Sequence, residues 1–217
     1  MKPKDLLKHG LKELGISCSN EQLNTFMTYL LELKKWNRVH NLTALKADKD
    51  IILKHFLDSL LYLKAIRKGN KTIADAGSGA GFPGIPIKII KPEVKLILIE
   101  SSGKKCTFLR HIIRTLKIKN AEVLNKRIEA LGEEYEKTFD IVVSRATFKI
   151  TDFMDKACPY LKEKGYLVIS KGPGISKEIS ELTRANNGEY PDFITGETLK
   201  IPISGDIRNI LCIRCNL

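Results

Sequence analysis

The chain has 217 residues, 43% of them apolar and 29% charged, a composition that excludes intrinsic disorder and allows one main core with a small extension. No apolar run approaches the roughly 20 residues that span a bilayer, and Met1–Gly10 is basic without the apolar stretch and cleavage site of a secretory signal. A cytoplasmic protein is expected, and a monomer, since no feature asks for an obligate dimer. The formal charge of +12 and pI of about 9.4 favour a polyanionic partner such as nucleic acid, with a lysine-rich compositional bias as the plainer alternative.

Five cysteines, Cys18, Cys106, Cys158, Cys212 and Cys215, are odd in number and scattered, which argues against a disulfide framework. Cys212-x-x-Cys215 has no second cysteine pair or histidine pair beside it, so no metal site is expected. The surrounding residues read as a strand, where positions three apart face opposite sides, and the cysteines read as small packed hydrophobes.

Residues 1–67 have a helical rhythm and are read as a small basic N-terminal extension. Ser19 and Gln22 form a capping-box signature. Leu23, Phe26, Met27, Leu30, Leu31 and Lys34 follow at helical spacing, with the apolar positions on one face. A polar turn is expected at 36–43, carrying Trp36, and a further apolar helix over about 48–63. Residues 68–217 alternate. Strands are predicted at Thr72–Ala76, Val94–Ile99, Ala121–Leu124, Phe139–Val143 and Tyr166–Ser170, with helices such as Lys104–Leu116 and Ile150–Leu161 between them. That alternation implies a parallel sheet covered on both faces. Phe193–Leu199 and Asn209–Ile213, divided by Pro202 and Gly205, read as an antiparallel pair at the sheet edge.

The most informative stretch is 75–84, Asp-Ala-Gly-Ser-Gly-Ala-Gly-Phe-Pro-Gly, which follows a short apolar strand and opens a helix. Glycines there permit a tight turn and let a ligand lie against bare backbone. Pro83 suits a helix start, and Glu100 ends the next strand, where a carboxylate can accept from a ribose diol. Gly79-x-Gly81-x-x-Gly84 matches the dinucleotide fingerprint, a weak signal by itself. The register Asp75-x-Gly77-x-Gly79-x-Gly81 resembles the S-adenosylmethionine (SAM) motif of Rossmann-like methyltransferases, whose acid faces the methionine end of the cofactor. The acid at the correct offset, the antiparallel ending and glycines beginning at the strand end favour SAM over a dinucleotide or a turn without ligand.

The fourth strand ends Val143-Ser144-Arg145-Ala146, without the Asn/Asp-Pro-Pro-aromatic signature of amino-group methyltransferases and without the cysteine of cytosine-C5 enzymes. Cys158 lies beyond it in a predicted helix and reads as core. Over nearly its whole length the chain resembles the ribosomal RNA small subunit methyltransferase G family (glucose-inhibited division protein B). The resemblance rests on Trp36-Asn37, Asn41-Leu42-Thr43, His55-x-x-Asp58-Ser59, Asp75 through Pro86, and Glu100-Ser101 with Lys104-Lys105 and Phe108-Leu109. Arg127-x-Glu129, Ser144-Arg145-Ala146, Lys171-Gly172 and Arg208 complete it.

The resemblance implies a seven-stranded, mostly parallel α/β sheet with an antiparallel C-terminal hairpin, plus the helical extension. It implies methyl transfer from SAM to N7 of a guanine in small-subunit (16S) ribosomal RNA. Gly77, Phe82, Glu100, Ser101, Ser102, Ile128, Glu129 and Arg145 would line the cofactor pocket, with Asp75 and Gly79 from the glycine motif. Arg145 has an ion pair to Glu129 or another acid as its plainer reading. RNA contacts are expected from Lys34, Lys35, Arg38, His55, Asp58, Lys104, Lys105 and Lys171. His55 and Asp58 share a helix face; Trp36 is as readily core as an RNA-stacking residue. No general base, metal or membrane is expected; no histidine is obviously buried, and His55 is the only serious alternative as a base. Two features depart from the family: Lys164-Gly165 replaces a common Gly-Gly, and Gly103 replaces a polar residue that would cap a helix. A methyltransferase for another RNA, a protein or a small molecule, and a non-catalytic RNA-binding relative, are the alternatives.

Overall fold

The computed structural model describes residues 1–66, 69, 71–145, 148–185 and 194–215. The expected boundary at 67–68, Ala146 and the strand start at Phe193 lie outside the described residues.

Two helices open the chain, α1 (Pro3–Glu13) and α2 (Asn20–His40). The capping box forms as expected: Ser19 Oγ accepts from Gln22 N at 3.1 Å, and Ser19 N donates to Gln22 Oε1 at 2.9 Å. The helix then runs past the predicted turn. Trp36 is half-buried, its ring 5.7 Å from Phe108 and 4.9 Å from His111, and this packing carries helix to His40, where Asn41 (φ 50°) ends it in left-handed geometry. Leu31, expected on the apolar face, is 66% exposed. The next helical rod has four segments: α3 (Asp48–Ile51), a π-turn over Ile52–Leu57, α4 (Asp58–Leu60) and a 3₁₀ turn over Leu61–Lys64.

The sheet comprises β1 (Thr72–Ala76), β2 (Lys95–Ile99), β3 (Ala121–Leu124), β4 (Phe139–Arg145), β5 (Leu161–Lys171), β6 (Ile194–Lys200) and β7 (Ile207–Arg214). Their order is β3-β2-β1-β4-β5-β7-β6, with β7 antiparallel to both of its neighbours. Helices α5 (Gly84–Ile90), α6 (Gly103–Thr115), α7 (Ile150–Ala157) and α8 (Ser176–Ala185) fill the connections. The predicted helix ending at Leu161 stops at Ala157, because a 3₁₀ turn over Cys158–Tyr160 starts β5 at Leu161. Alternation along the strands makes two cores. Ile73, Leu96, Leu98, Ile141, Val143 and Val168 share one with the buried faces of α1, α2 and the π-turn. Ala74, Ile97, Ile99, Val142, Leu167 and Ile169 share the other with α7. Residues of the N-terminal extension therefore pack into the sheet's own core.

The reading of all five cysteines as unpaired does not hold. Cys158 and Cys215 are disulfide-bonded with Cα atoms 5.7 Å apart, while Cys18, Cys106 and Cys212 take part in no disulfide. Cys215 and Cys212 face opposite cores, as strand geometry requires, so the partner of Cys215 comes from the turn before β5 rather than from its own motif. Among the described residues no helix is long and apolar enough to cross a membrane.

Candidate active site

Strand order reverses between β1 and β4, so their carboxyl ends open a crevice. The glycine loop forms one wall. Gly77 (φ 71°) and Gly79 (φ 58°) adopt left-handed conformations that side chains resist. Gly77 N and Ser78 N both donate to Ile99 O, at 2.9 and 3.1 Å, which binds the loop to the end of β2. Glu100, 7% exposed, continues the clamp: its Oε2 accepts from Gly79 N at 2.9 Å and its Oε1 from Ser102 N at 2.8 Å. Each oxygen keeps a further lone pair for a ligand. Gly84 serves packing instead. A Cβ there would lie 2.8 Å from Asp75 Oδ2 and 2.9 Å from Leu98.

Asp75 is fully buried. Its Oδ2 accepts from Gly84 N at 2.8 Å, and Oδ1 has no partner. Burial pushes its carboxyl up to about 7, against the Gly84 N–H and Arg145, with Glu100 adding to the rise. A buried carboxylate oxygen left unpaired is costly, and a cationic group reaching it from the crevice would satisfy it.

Two cavities meet at Gly77. The larger, about 400 Å³, has Ile99 and Ile128 as apolar walls, Glu100 and Ser101 as polar groups, and Lys105, Lys126 and Arg127 at its rim. Glu129 also lines it and pairs with Lys156 at 3.3 Å; its own backbone N–H, then Lys156, hold the carboxyl low. Asn125, which sequence reasoning missed, donates to Glu100 O at 3.2 Å and Ser101 O at 2.9 Å. Gly103 is the first residue of α6, so the cap position belongs to Ser102, whose side chain makes no cap hydrogen bond. An apolar slot beside a carboxylate with free lone pairs and a bare glycine turn has the chemistry to take the adenosine of SAM, while Asp75 lies buried beneath the loop.

The smaller cavity, about 120 Å³, lies between the loop and the N-terminal helices and is lined by Thr43, His55, Phe82 and Arg145. Phe82 is 4% exposed, stacked against Tyr29 (5.4 Å) and His55 (4.4 Å), with the Arg145 guanidinium carbon 5.2 Å from its centroid. It therefore presents little open ring face. Tyr29 Oη donates to Ala80 O at 2.5 Å, fixing α2 to the loop. Arg145 leaves β4 to reach the π-turn: Nη1 donates to Lys54 O at 2.9 Å, Nη2 meets His55 Nδ1 at 3.0 Å, and Asp58 lies 3.7 Å away. The shared face of His55 and Asp58 thus closes on Arg145. Asp58 also accepts from Arg208 Nε at 3.0 Å; burial still lifts its carboxyl above the usual range, against both arginines.

His55, the one histidine the sequence offered as a serious candidate, is half-buried at this cavity. Burial, then Arg145, hold the His55 imidazole down to about 3, so the ring is neutral. Its tautomer follows from donor counting. A guanidinium nitrogen can only donate, so Nδ1 accepts and the proton sits on Nε2, which donates to Thr43 Oγ1 at 2.8 Å. The Lys54 carbonyl, 3.2 Å from Nδ1, already accepts from Arg145.

Gly77, Glu100, Ser101, Ile128 and Glu129 line the larger cavity and Gly77, Gly79, Phe82, His55 and Arg145 the smaller, with Lys105 at the rim; Asp75 is buried beneath the loop, Ser102 meets the site only through its N–H to Glu100, and Asp58 stands behind Arg145. The other expected RNA contacts are dispersed. Lys35, Arg38 and Lys104 are exposed, and Lys34 is paired with Asp48. Lys171, with its side chain 13% exposed, donates to Phe148 O at 2.6 Å and Glu178 Oε1 at 2.9 Å. Beyond Asn125, the sequence assigned no role to Tyr29, which reads as core, or to Thr43, although Asn41-Leu42-Thr43 is one of the motifs of the resemblance and was the signal that could have found it.

A Rossmann-like sheet with one antiparallel strand, an acid-led glycine loop and a carboxylate ending the second strand defines the class of SAM-dependent methyltransferases. Solved structures share the fold: a SAM-dependent methyltransferase from Aquifex aeolicus (TM-score 0.55, 18% identity, 76% of this chain and 93% of that one) and the ribosomal protein L11 methylase from Lactobacillus delbrueckii (TM-score 0.55, 16% identity, 77% and 79%). Residues 22–195 match the family model for rRNA small subunit methyltransferase G. Proteins named ribosomal RNA small subunit methyltransferase G from Clostridium kluyveri (44% identical over 86% of this chain and 81% of the relative) and Geobacter sp. strain M21 (38% over 98% of both) are close in sequence. The chain belongs to the rRNA small subunit methyltransferase G family.

Proposed function

We infer that the two adjoining cavities are halves of one active site, the larger holding the adenosine of SAM and the smaller receiving a guanine base. The protein transfers the methyl group of SAM to N7 of a guanine in small-subunit ribosomal RNA. The observation that carries the division of labour is the meeting of the cavities at Gly77, one offering a carboxylate and apolar walls, the other ringed by Thr43, His55, Phe82 and Arg145.

Bound in the larger cavity, SAM supplies an electrophilic methyl group, which N7 can attack with its in-plane lone pair. Glu100 accepts from the ribose diol, Ile99 and Ile128 flank the adenine, and ionised Asp75 receives the ammonium group. Residues 43–58 and Arg145 shape the base pocket and keep water out. N7 carries no proton, so no side chain has to remove one, and positioning is the main catalytic contribution. Residues 1–67, with Lys35 and Arg38 exposed, form an RNA-docking part beside residues 68–217, which hold the cofactor; Lys104 and Lys105 add phosphate contacts.

The test is incubation of the purified protein with SAM and small-subunit rRNA, followed by mass spectrometry of the nucleosides. The expected product is 7-methylguanosine; methylation at another atom, or none, overturns this function.

A further inference from the structure

Charge is unevenly spread along this chain. Residues 1–67 carry twelve Lys and Arg against seven acids, whereas residues 103–127 carry eight against one, Glu122. In the first region several cations are neutralised locally, as in Lys34 with Asp48 and Lys54 with Asp50. In the second, none of the eight cations forms an ion pair or a side-chain hydrogen bond with a described residue. They lie along α6 and β3, the edge strand of the sheet. Lys105, Lys126 and Arg127 stand at the rim of the larger cavity. Arg110 and Arg114 wall a groove of about 440 Å³ between α6 and β3. Lys117 and Lys119 follow at the helix's far end. With a rise of about 1.5 Å per residue, α6 carries this stripe over roughly 20 Å from the crevice.

Uncompensated like charges destabilise a fold by mutual repulsion unless a polyanion covers them. We propose that the α6–β3 groove is the main track for the phosphate backbone of the substrate RNA, leading to the active site, and that α2 contributes less. This rests on the rRNA function proposed above. Two double variants test it, Arg110→Gln with Arg114→Gln and Lys35→Gln with Arg38→Gln, both at exposed positions. RNA affinity is measured across a salt series, together with SAM affinity and transfer kinetics. Two lost phosphate contacts make the salt slope of log K shallower by roughly 1.4 to 1.8. The α6 variant should show that change, with a raised KM for RNA, near-normal kcat at saturating RNA and unchanged SAM affinity. An unchanged slope in the α6 variant, or a larger change in the α2 variant, overturns the proposal. Failure of the wild type to methylate rRNA would instead overturn the function.

A different observation, the proton accounting around Thr43, supports a second inference within the same proposed function. Thr43 Oγ1 accepts from His55 Nε2–H and from Leu45 N at 3.2 Å. Among the described residues its own hydroxyl proton therefore has no acceptor, although Thr43 lines the smaller cavity. We infer that this proton is donated to O6 of the target guanine, making Thr43 a specificity-determining residue held in its donor role by Arg145 through His55. O6 neighbours N7 on the edge where adenine instead presents an amino donor, so a fixed donor accepts guanine and repels adenine.

The test uses rRNA fragments carrying guanine or 2-aminopurine, which lacks O6, at the methylated position once mass spectrometry has located it. Thr43→Val should lose about tenfold in kcat/KM on guanine RNA and nothing on the 2-aminopurine RNA, while Thr43→Ser retains activity. SAM affinity should be unchanged throughout. Equal losses on both RNAs, or weakened SAM binding in Thr43→Val, overturn the assignment. Absence of N7 methylation by the wild type fails the function itself.

Discussion

The two cavities that meet at Gly77 are built in opposite ways. The larger uses backbone at the carboxyl ends of β1 and β2, clamped by one carboxylate, and most of its parts lie within the segments around 75–79, 99–102 and 125–129. The smaller shares the glycine loop but is closed by side chains from three further segments, Thr43, His55 and Arg145, joined through Arg145 to the π-turn and through Tyr29 to the loop. Backbone sites tolerate variation in neighbouring side chains but depend on the clamp. Side-chain sites depend on each member of the network. The halves should therefore fail separately, and most of the predictions ask whether they do.

The largest effect is expected from Glu100→Ala. It removes the acceptor for the ribose and leaves Gly79 N and Ser102 N without their partner. Hydrogen bonds to a charged group contribute about 1.5–3 kcal/mol each, so SAM affinity measured by calorimetry should fall about a hundredfold or more. An unchanged affinity in a folded variant would refute the assignment of the larger cavity. Arg145→Lys attacks the other half. It cannot reproduce the fork that reaches Lys54 O and His55 together. Single-turnover transfer should slow about 10- to 100-fold while SAM affinity changes by less than about threefold. A larger effect on SAM affinity than on transfer would merge the two halves.

Asp75 gives a smaller and pH-dependent effect. With its carboxyl at about 7 in the unliganded protein, the ionised form that pairs with an ammonium group is incomplete below neutrality. Binding must then release a proton, so SAM affinity should rise about tenfold from pH 6 to 8 and level off above. Asp75→Asn should remove the slope. The same raised pKa means that the folded chain keeps this proton where the unfolded chain has lost it. Its contribution therefore lowers the stability of the unliganded protein as pH rises from about 4 to 7. A flat SAM titration in the wild type would place the ammonium group elsewhere.

This division also explains what was legible in the sequence. Local signals were the legible ones: the Ser19–Gln22 capping box forms, and each predicted strand has its counterpart in the sheet, although β4 runs on to Arg145 and β5 begins at Leu161 instead of Tyr166. Signals that depend on distant packing were not. Trp36 looked like a turn residue, yet its contacts with Phe108 and His111 extend α2 to His40. Leu31 fits the helical spacing but faces outward. The π-turn at 52–57 has no sequence signature, so the depth to which His55 is turned into the site could not be foreseen. Cys158 pairs with a cysteine 57 positions away, across two packed strands. The resemblance pointed to Arg145 and His55, but the proton chain through Thr43 is a property of the assembled network.

The smallest expected effect concerns the chemical step, where the base-free mechanism and the half-buried histidine meet. A neutral imidazole inside an active site invites the reading of a general base. Its environment argues otherwise. Nδ1 is occupied by the Arg145 guanidinium, and the Nε2 proton points to Thr43. Held down to about 3, the ring would have to accept a proton beside a fixed cation. Between about pH 6 and 9 neither His55 nor any required base should change state, although an unperturbed histidine titrates near 6.5. Single-turnover rates with SAM and RNA saturating should therefore be flat across that range. In His55→Gln the rate should fall by only a few-fold, because the amide can still accept from Arg145 while losing the ring's packing on Phe82. A rise through about pH 6.5 in the wild type that disappears in His55→Gln would establish proton transfer by His55 and overturn the mechanism; a flat profile in both leaves His55 the task of orienting Thr43 and Arg145.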